Sequence, residues 1–515
     1  MSYLQNIKVL LKWTLIRMLY TYTYNQIWRE KKMTPFSSVL EFYMKEKEIR
    51  TYSIAQFCGI DRSNMYKMLN GKRNPASEEV VERIAEYMRL KPVEKSHLME
   101  AYQITMMGYD NYHRRKSVQE FLMSFSEEAA KTEEILRSEY MTVNVDVQEL
   151  KLSRGAVVND RQLKHIILSV LNLEMQKPEG KICLLMQPER NYIMDMLAMA
   201  GIKRERLSIE HIFCLSNTND IALDKKDYNL SCLNNILPLF ARSICDYKPY
   251  CYYDNIVSHN NRFNFLSSMI LTSEYAVAFS MEEEYGMLLS DPQTIRQLQT
   301  LFYSLKEDAS LMACKMDSLE KQLKAFANIN FDNIGIGFQP EACLVPMIPT
   351  AFLEKYLHRS ILEQQLLKEN VFQYVSVSGQ ILEASKSTFI FTEKGIRAFV
   401  NSGRISELPE SVYYPLEYSD RLVLIRRLMK ECEAGKYQML RPNAPITECK
   451  ICLYSGMQGG YLLIPNAYGD RIFLELRESG LLNAFRDYFE TLDRKYYYST
   501  EETMSILKSL LKKTA

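Results

Sequence analysis

The sequence predicts a multidomain protein: an all-α domain near the N-terminus, followed by a large α/β or α+β region. Three observations predict this. The chain has 515 residues, room for about three domains at roughly 150 residues each. Residues 34–105 form a run of short amphipathic helical patterns. From Asn159 onward, helical and strand-like patterns alternate, as in sheets joined by helical connections. The organisation read from these patterns is an extension over 1–33, an all-α domain over 34–105 and a linker helix over 106–150. An α/β sensing domain over 151–315 and an α+β domain over 316–515 complete it.

Apolar residues make up 47% and charged residues 25%, ordinary globular material. The net charge is +1, from 64 basic and 63 acidic residues, so affinity for an anionic partner must rest on local charge. The 11 cysteines are scattered, far below the density of a disulfide scaffold. Nothing resembles a secretory signal, and the cytoplasm is the expected compartment. No 18-residue apolar run exists, so no membrane span and no membrane partner is expected. Residues 1–32 lack an acidic residue before Glu30, and Lys8, Lys12 and Arg17 interrupt their apolar run. Three readings stay open: a helix packed on the rest, an upstream extension with the start at Met33, or a segment lying on a membrane surface.

Within 34–105, the first helix is expected over Pro35–Lys45, with Phe36, Val39, Leu40 and Tyr43 on one face. Ser53–Phe57 is a second short helix and Cys58-Gly59-Ile60 a break. Asp61 is a good N-cap for a third helix over Arg62–Leu69. Asn70-Gly71 ends it, with Gly71 suited to a left-handed position. Ser77 caps a fourth helix to about Leu90, and Pro92 opens a fifth to about Thr105.

The segment Ile54-Ala55 … Gly59-Ile60-Asp61 … Met65 resembles the second and third helices of the phage-repressor (Xre) helix-turn-helix family. There a Leu-Ala pair is followed four residues later by glycine, then by a β-branched residue, a small cap, and an apolar residue four beyond the cap. Asn70-Gly71-Lys72-Arg73-Asn74-Pro75 resembles the loop before that family's fourth helix. The resemblance covers residues 36–92, about a tenth of the chain. Physical reasons stand beside it: Ala55 lets two helices cross closely, Gly59 allows a positive φ, and Ile60 and Met65 anchor the third helix. Cys58 before the glycine and Leu69, where the family often has Glu, are departures that leave this packing logic intact.

Charge supports the same region. From Lys45 to Pro75 there are seven basic residues (Lys45, Lys47, Arg50, Arg62, Lys67, Lys72, Arg73) against Glu46, Glu48 and Asp61. The next helix carries Glu78, Glu79, Glu82 and Glu86. The resemblance implies a third helix in the major groove of double-stranded DNA, with Arg62, Ser63, Asn64 and Lys67 at base edges and Tyr66 at a flank. Thr51, Ser53, Lys72 and Arg73 are suited to phosphates, which set register without reading sequence. It also implies a homodimer, joined through the C-terminal part, which would sense a small-molecule or peptide effector.

In the remaining chain, helices are expected over Asp160–Gln176, Asn191–Ala200, Asn229–Ile244, Asp291–Lys306, Lys315–Asn328, Leu353–Lys368, Glu393–Asn401, Asp420–Cys432, Leu481–Leu492 and Thr500–Lys513. Strands are expected at Lys181–Met186, Ile209–Leu215, Pro249–Tyr253, Met269–Thr272, Ala276–Phe279, Gly286–Leu289, Phe372–Val377, Thr388–Phe391, Lys450–Tyr454 and Tyr461–Ile464. Thr392 and Ser419 are suitable N-caps. Ile295, Leu298, Phe302 and Leu305 share the spacing of Leu482, Phe485, Phe489 and Leu492, each set after an apolar strand. Duplicated strand–helix units explain this echo, and so do two ordinary amphipathic helices.

No catalytic constellation emerges. There is no Walker loop, nucleophile elbow, zinc-protease motif or His-x-Lys pair, and Gly335-Ile336-Gly337 lacks a third glycine. Gly456–Gly460 has no following lysine and reads as a loop between strands. Cys449 and Cys452 form the single CxxC; in a strand they point to opposite faces, so no metal or cofactor is expected there. The six histidines are dispersed. The expected function is sequence-specific DNA binding in transcription regulation, without enzymatic activity. A cytoplasmic scaffold whose helical domain binds protein is the alternative, and an enzyme with a DNA-binding appendage the third.

Overall fold

A computed structural model describes residues 33–125, 155–157, 160–189, 191–200, 206–217, 228–242, 245–256, 266–316, 318, 320–322, 334–384, 386–456, 459–465 and 471–512. The extension 1–32 and residues 126–150 of the linker lie outside the described residues. The chain divides into two compact units, one up to Lys116 and one over nearly all that follows. The division falls inside the helix Tyr109–Met123.

The first unit contains α1 (Pro35–Glu46), α2 (Thr51–Cys58), α3 (Arg62–Leu69), α4 (Glu78–Tyr87) and α5 (Pro92–Met107), with α6 (Tyr109–Met123) following. Its core holds the expected α1 face, Phe36, Val39, Leu40 and Tyr43, with Ile54, Ala55, Met65, Met68, Val81, Ile84 and Leu98. Ile60 and Leu69 pack against it partly buried. Thr34 caps α1 and Pro92 occupies the first turn of α5. Ser77 stands at the N-cap of α4, but its hydroxyl accepts no helix N–H and donates instead to the Glu79 carboxylate.

The second unit holds two mixed sheets, so the large region combines helical crossovers with antiparallel meanders. The first sheet comprises β1 (Gly155–Val157), β2 (Lys181–Leu185), β3 (Ser208–Ser216), β4 (Asp246–Asp254), β5 (Ser268–Leu271), β6 (Ala276–Phe279), β7 (Gly286–Leu289) and β8 (Ser310–Leu311). Helix α7 (Asp160–Met175) precedes β2, while α8 (Asn191–Ala200) and α9 (Tyr228–Arg242) connect β2, β3 and β4. These three strands run parallel, whereas β5, β6 and β7 form an antiparallel meander on the free side of β2. The meander feeds α10 (Pro292–Glu307). Short antiparallel strands close both edges, β1 on β7 and β8 on β4. Strand β3 is buried over seven consecutive residues, which explains its continuous apolar run.

The second sheet repeats this plan. Strands β10 (Ile334–Phe338), β11 (Thr388–Thr392) and β12 (Tyr437–Leu440) run parallel. Strands β13 (Cys452–Gly456), β14 (Gly460–Pro465) and β15 (Arg471–Leu476) form the meander beside β10. Helices α11 (Thr350–Tyr356), α12 (Arg359–Leu362), α13 (Gln365–Ala384), α14 (Glu393–Ser402) and α15 (Tyr418–Glu433) make the connections. The meander again feeds a helix, α16 (Ser479–Glu490), and α17 (Thr500–Leu511) ends the fold. β9 (Ala313–Met316) edges the sheet on β15, as β1 does on β7. Leu440 of β12 makes an antiparallel bridge with Tyr497, where β4 has β8.

The spacing echo therefore falls on topologically equivalent helices, α10 and α16. Carboxylates cap both: Asp291 accepts from the Thr294 amide at 2.8 Å, and Glu478 from those of Gly480 and Leu481 at 2.7 and 2.6 Å. The structure also exposes a repeat that the sequence reading missed. Gln187-Pro188-Glu189 follows β2, and Gln339-Pro340-Glu341 follows β10. Each glutamine meets a tyrosine hydroxyl, Gln187 that of Tyr228 at 2.9 Å and Gln339 that of Tyr454. Buried Met312 stitches the two sheets: its amide donates to Pro249 O and its carbonyl accepts from Arg477 N, both at 2.9 Å.

Several expected elements change. Phe372–Val377, read as a strand from its β-branched and aromatic content, lies inside α13. Its buried residues, Val371, Tyr374, Val375, Ser378 and Leu382, keep helical spacing. The helix expected over Leu353–Lys368 breaks at Leu357 and His358, where Leu357 bridges to Tyr413 and the His358 amide donates to Val412 O. Lys315 and Met316, expected to open a helix, pair instead with Leu474 and Phe473 in β9; residues 323–328 lie outside the described residues. Thr392 caps α14 as expected, but Ser419 lies inside α15, whose N-cap position is held by Glu417 without a side-chain cap bond. No helix among the described residues is long and apolar enough to cross a membrane.

Candidate nucleic-acid interface

The turn between α2 and α3 is built by backbone geometry. Gly59 has φ 65°, with its N–H donating to Gln56 O at 3.2 Å and the Ile60 N–H to Ala55 O at 2.9 Å. This pair of bonds is a Schellman ending, which satisfies carbonyls that the helix leaves open. A Cβ on Gly59 would meet nothing within 4 Å, so the glycine serves its left-handed backbone and not a close approach. The end of α3 repeats the device: Gly71 has φ 67°, and the Lys72 N–H donates to Lys67 O at 2.8 Å. Between the two turns, Asp61 Oδ1 accepts from Ser63 N at 2.8 Å and Asn64 N at 3.4 Å, capping α3.

Met65 and Met68 hold the inner face of α3, and Arg62, Ser63, Tyr66 and Lys67 are exposed on the outer one. The Arg62 guanidinium lies 5.7 Å from the centre of the Tyr66 ring. Hydrogen bonds from Arg62 first, and then from Thr51, hold the exposed Tyr66 hydroxyl below the usual phenol range. Arg73 Nη1 donates to Asn64 Oδ1 at 2.8 Å, across the loop after α3. Thr51 and Ser53 are half-buried on α2; Lys72 and Arg73 are exposed. Contacts thus join Thr51, Arg62 and Tyr66 in one group and Asn64 and Arg73 in another. Ser53, Ser63, Lys67 and Lys72 join neither by a side-chain bond.

The seven basic residues divide. Lys45 pairs with Glu41 at 2.7 Å and Lys47 with Glu94 at 3.0 Å, so both are engaged within the unit. Arg50, Arg62, Lys67, Lys72 and Arg73 make no ion pair among the described residues. Sequence reasoning gave no contact role to Arg50 or Tyr52, which flank Thr51 at the start of α2. Arg50 stands at the N-cap without a side-chain cap bond, and Tyr52 is 59% exposed. An exposed aromatic residue beside a basic one at a helix N-terminus was the available signal.

Buried polar groups concentrate in the second unit. His211 bridges Met186 O (Nε2, 2.9 Å) and the Tyr247 hydroxyl (Nδ1, 3.0 Å), and its burial holds it down at about 4. Glu407, Gln339 and Tyr454 form a second buried group. Cys452 opens β13 while Cys449 lies in the preceding turn, so the expected strand over both begins later. Both are free and buried, and burial pushes the Cys449 thiol up to about 12. Gly456 N–H donates to Gly459 O at 3.0 Å, in the expected loop between strands. Among the described residues no cluster of three or more His, Cys, Asp or Glu could hold a metal ion.

No family model matches the chain, and no curated protein matches it. Among solved structures, phosphatidylserine synthase from Haemophilus influenzae Rd KW20 aligns over 72% of this chain and 94% of its own. The identity is 8% and the TM-score 0.20, too low for that likeness to carry fold or function across.

Proposed function

We propose that the first unit is a helix-turn-helix domain that binds double-stranded DNA, and that the protein is a transcription regulator of the Xre type. The observation that carries this reading is a set of five cations without an ion pair among the described residues: Arg62 and Lys67 on α3, Lys72 and Arg73 in the loop after it, and Arg50 at the N-cap of α2. Surface cations are commonly paired at little gain; five left without carboxylates on one supersecondary unit suit phosphates, whose counterions are released on binding. α3 enters the major groove with Arg62, Ser63, Asn64 and Lys67 at base edges and Tyr66 beside them. Thr51, Ser53, Lys72 and Arg73 engage phosphates, joined by Arg50.

The regulator works as a homodimer in the cytoplasm, its two α3 helices about one DNA turn apart, roughly 34 Å. The second unit supplies the dimer contact and the effector response, without catalytic chemistry of its own. The test is binding of the purified protein to randomised duplex DNA at two salt concentrations, with sequencing of the bound fraction. Enrichment of a two-fold symmetric motif supports the reading. No binding at low salt, together with capture of a specific protein by the first unit's surface, favours the scaffold alternative.

A further inference from the structure

Glu407 lies in the connection between α14 and α15 and is 5% exposed. Three contacts close a ring around it. Gln339 Nε2 reaches Glu407 Oε2 at 2.8 Å, the Tyr454 hydroxyl meets Glu407 Oε1 at 3.2 Å, and the same hydroxyl bonds Gln339 Oε1. Gln339 follows β10 and Tyr454 stands in the middle of β13, so the ring ties the 403–417 connection to the end of one strand and the middle of its partner.

The hydrogens of this ring can be counted. Tyr454 brings one. Gln339 turns its nitrogen to one partner and its oxygen to the other, so it brings one; exchanging N and O moves that hydrogen without adding another. Two hydrogens serve three contacts. We infer that Glu407 is carried as a neutral carboxylic acid, whose proton completes the ring and makes it a clasp that closes on proton binding and opens on proton loss.

The surroundings agree with that assignment. Glu341, on the segment after β10, adds a like charge, and the Cys343 thiol and the backbone N–H of Glu407 face the same carboxyl. Arg471 of β15 bonds Lys450 O at 3.0 Å and Cys452 Sγ at 3.1 Å and lies 3.7 Å from Glu341; its charge also acts on Glu407, to which it makes no hydrogen bond. The other titratable groups around Glu407 are the thiol of Cys452 and the phenols of Tyr374 (α13), Tyr413, Tyr437 (β12) and Tyr461 (β14), all pushed up by burial. Burial, opposed by hydrogen bonds from Cys343 and Gln339 and assisted by Glu341, pushes Glu407 up to about 7. An unfolded glutamate titrates near its usual value, so the folded state binds this proton more tightly. The contribution is therefore full below the unfolded value and is lost as pH rises through about 7.

The experiment uses the full chain and two readouts. The first is amide hydrogen exchange of residues 403–417 from pH 6 to 8.5, corrected for the intrinsic pH dependence of exchange. Protection in the wild type is expected to fall by up to tenfold per pH unit as pH rises towards about 7 and to level off above it. Glu407→Gln supplies the missing hydrogen as an amide, so its protection should be independent of pH. Tyr454→Phe breaks the ring and should lower protection throughout. The second readout, needed if a variant fails to fold, is the infrared carbonyl band of a protonated carboxylic acid in carbon-labelled wild-type protein. That band should be present at pH 6 and disappear with the loss of protection. Flat wild-type protection, or a carboxylate band alone at pH 6, overturns the inference.

Discussion

Arg73 Nη1 lies 2.8 Å from Asn64 Oδ1, so the cation of the loop after α3 holds the one amide side chain of that helix. Asn64 cannot offer its amide edge to an adenine while Arg73 occupies its oxygen. On the proposed reading, DNA binding exchanges this bond for two others: Asn64 turns to a base and Arg73 to a phosphate. Arg73→Ala should then weaken binding almost equally on all sequences and lower the salt slope by about 1. Asn64→Ala should relax preference at one base pair, at about 1–3 kcal/mol. Affinities across single-base operator variants, at several salt concentrations, separate the two effects.

Arg62 stacks beside Tyr66, so its fork is held near the outer face of α3. Arg62→Ala should cost about 1–3 kcal/mol on the selected operator and relax specificity at a guanine position. Tyr66→Phe keeps the ring and loses the hydroxyl that Arg62 and Thr51 engage; it should weaken binding less. An unchanged isotherm for Arg62→Ala would falsify the assignment of that residue.

Gly59 is left-handed but spatially unhindered, so Gly59→Ala should cost only the backbone penalty, about 1–2 kcal/mol. Asp61→Ala removes the cap of α3 and should cost about 0.5–2 kcal/mol. Both are read as shifts of the denaturant midpoint of the first unit. A Gly59→Ala loss far above this range would show that the turn is crowded.

His211 is the opposite case to Glu407. Met186 O can only accept, so Nε2 carries the hydrogen and Nδ1 accepts from Tyr247. Its folded value, about 4, lies below that of an unfolded histidine, so protons favour unfolding. The stability from a neutral His211 is full above about pH 6.5 and is lost as pH falls towards 4, on the order of 3 kcal/mol in all. His211→Gln should flatten that part of the stability profile. Nitrogen chemical shifts of the labelled ring check the tautomer, and a protonated Nδ1 at pH 7 would contradict it.

Local signals were legible where chain-near contacts decide the structure. Arg62–Leu69 is a helix with the expected bounds because Asp61 and Gly71 mark its ends by capping and positive φ. The buried face of α1 was legible from its period. Phe372–Val377 was misread because its residue types favour strands, while the helical spacing of its buried Tyr374 and Val375 shows only together with Val371, Ser378 and Leu382 outside that window. The echo between α10 and α16 was visible, yet the repeated sheet plan behind it was not, since strand order is set by pairings across the chain. The ring was invisible for the same reason: Glu407 stands 68 residues from Gln339 and 47 from Tyr454. On the candidate interface the charged residues were legible, but not which were already spent: Lys47 finds its carboxylate in Glu94 of α5.

The most direct test of the central claim is the salt dependence of binding to duplex DNA, measured by fluorescence anisotropy for the wild type and for the combined variant Arg50→Ala, Lys72→Ala, Arg73→Ala. Steep weakening with salt is expected, with a slope shallower by about 3 in the variant, close to 0.9 for each phosphate contact removed. Folding of the variant is checked by circular dichroism. Binding that is absent at low salt, or equally salt-dependent in a folded variant, contradicts the assignment of this surface to DNA.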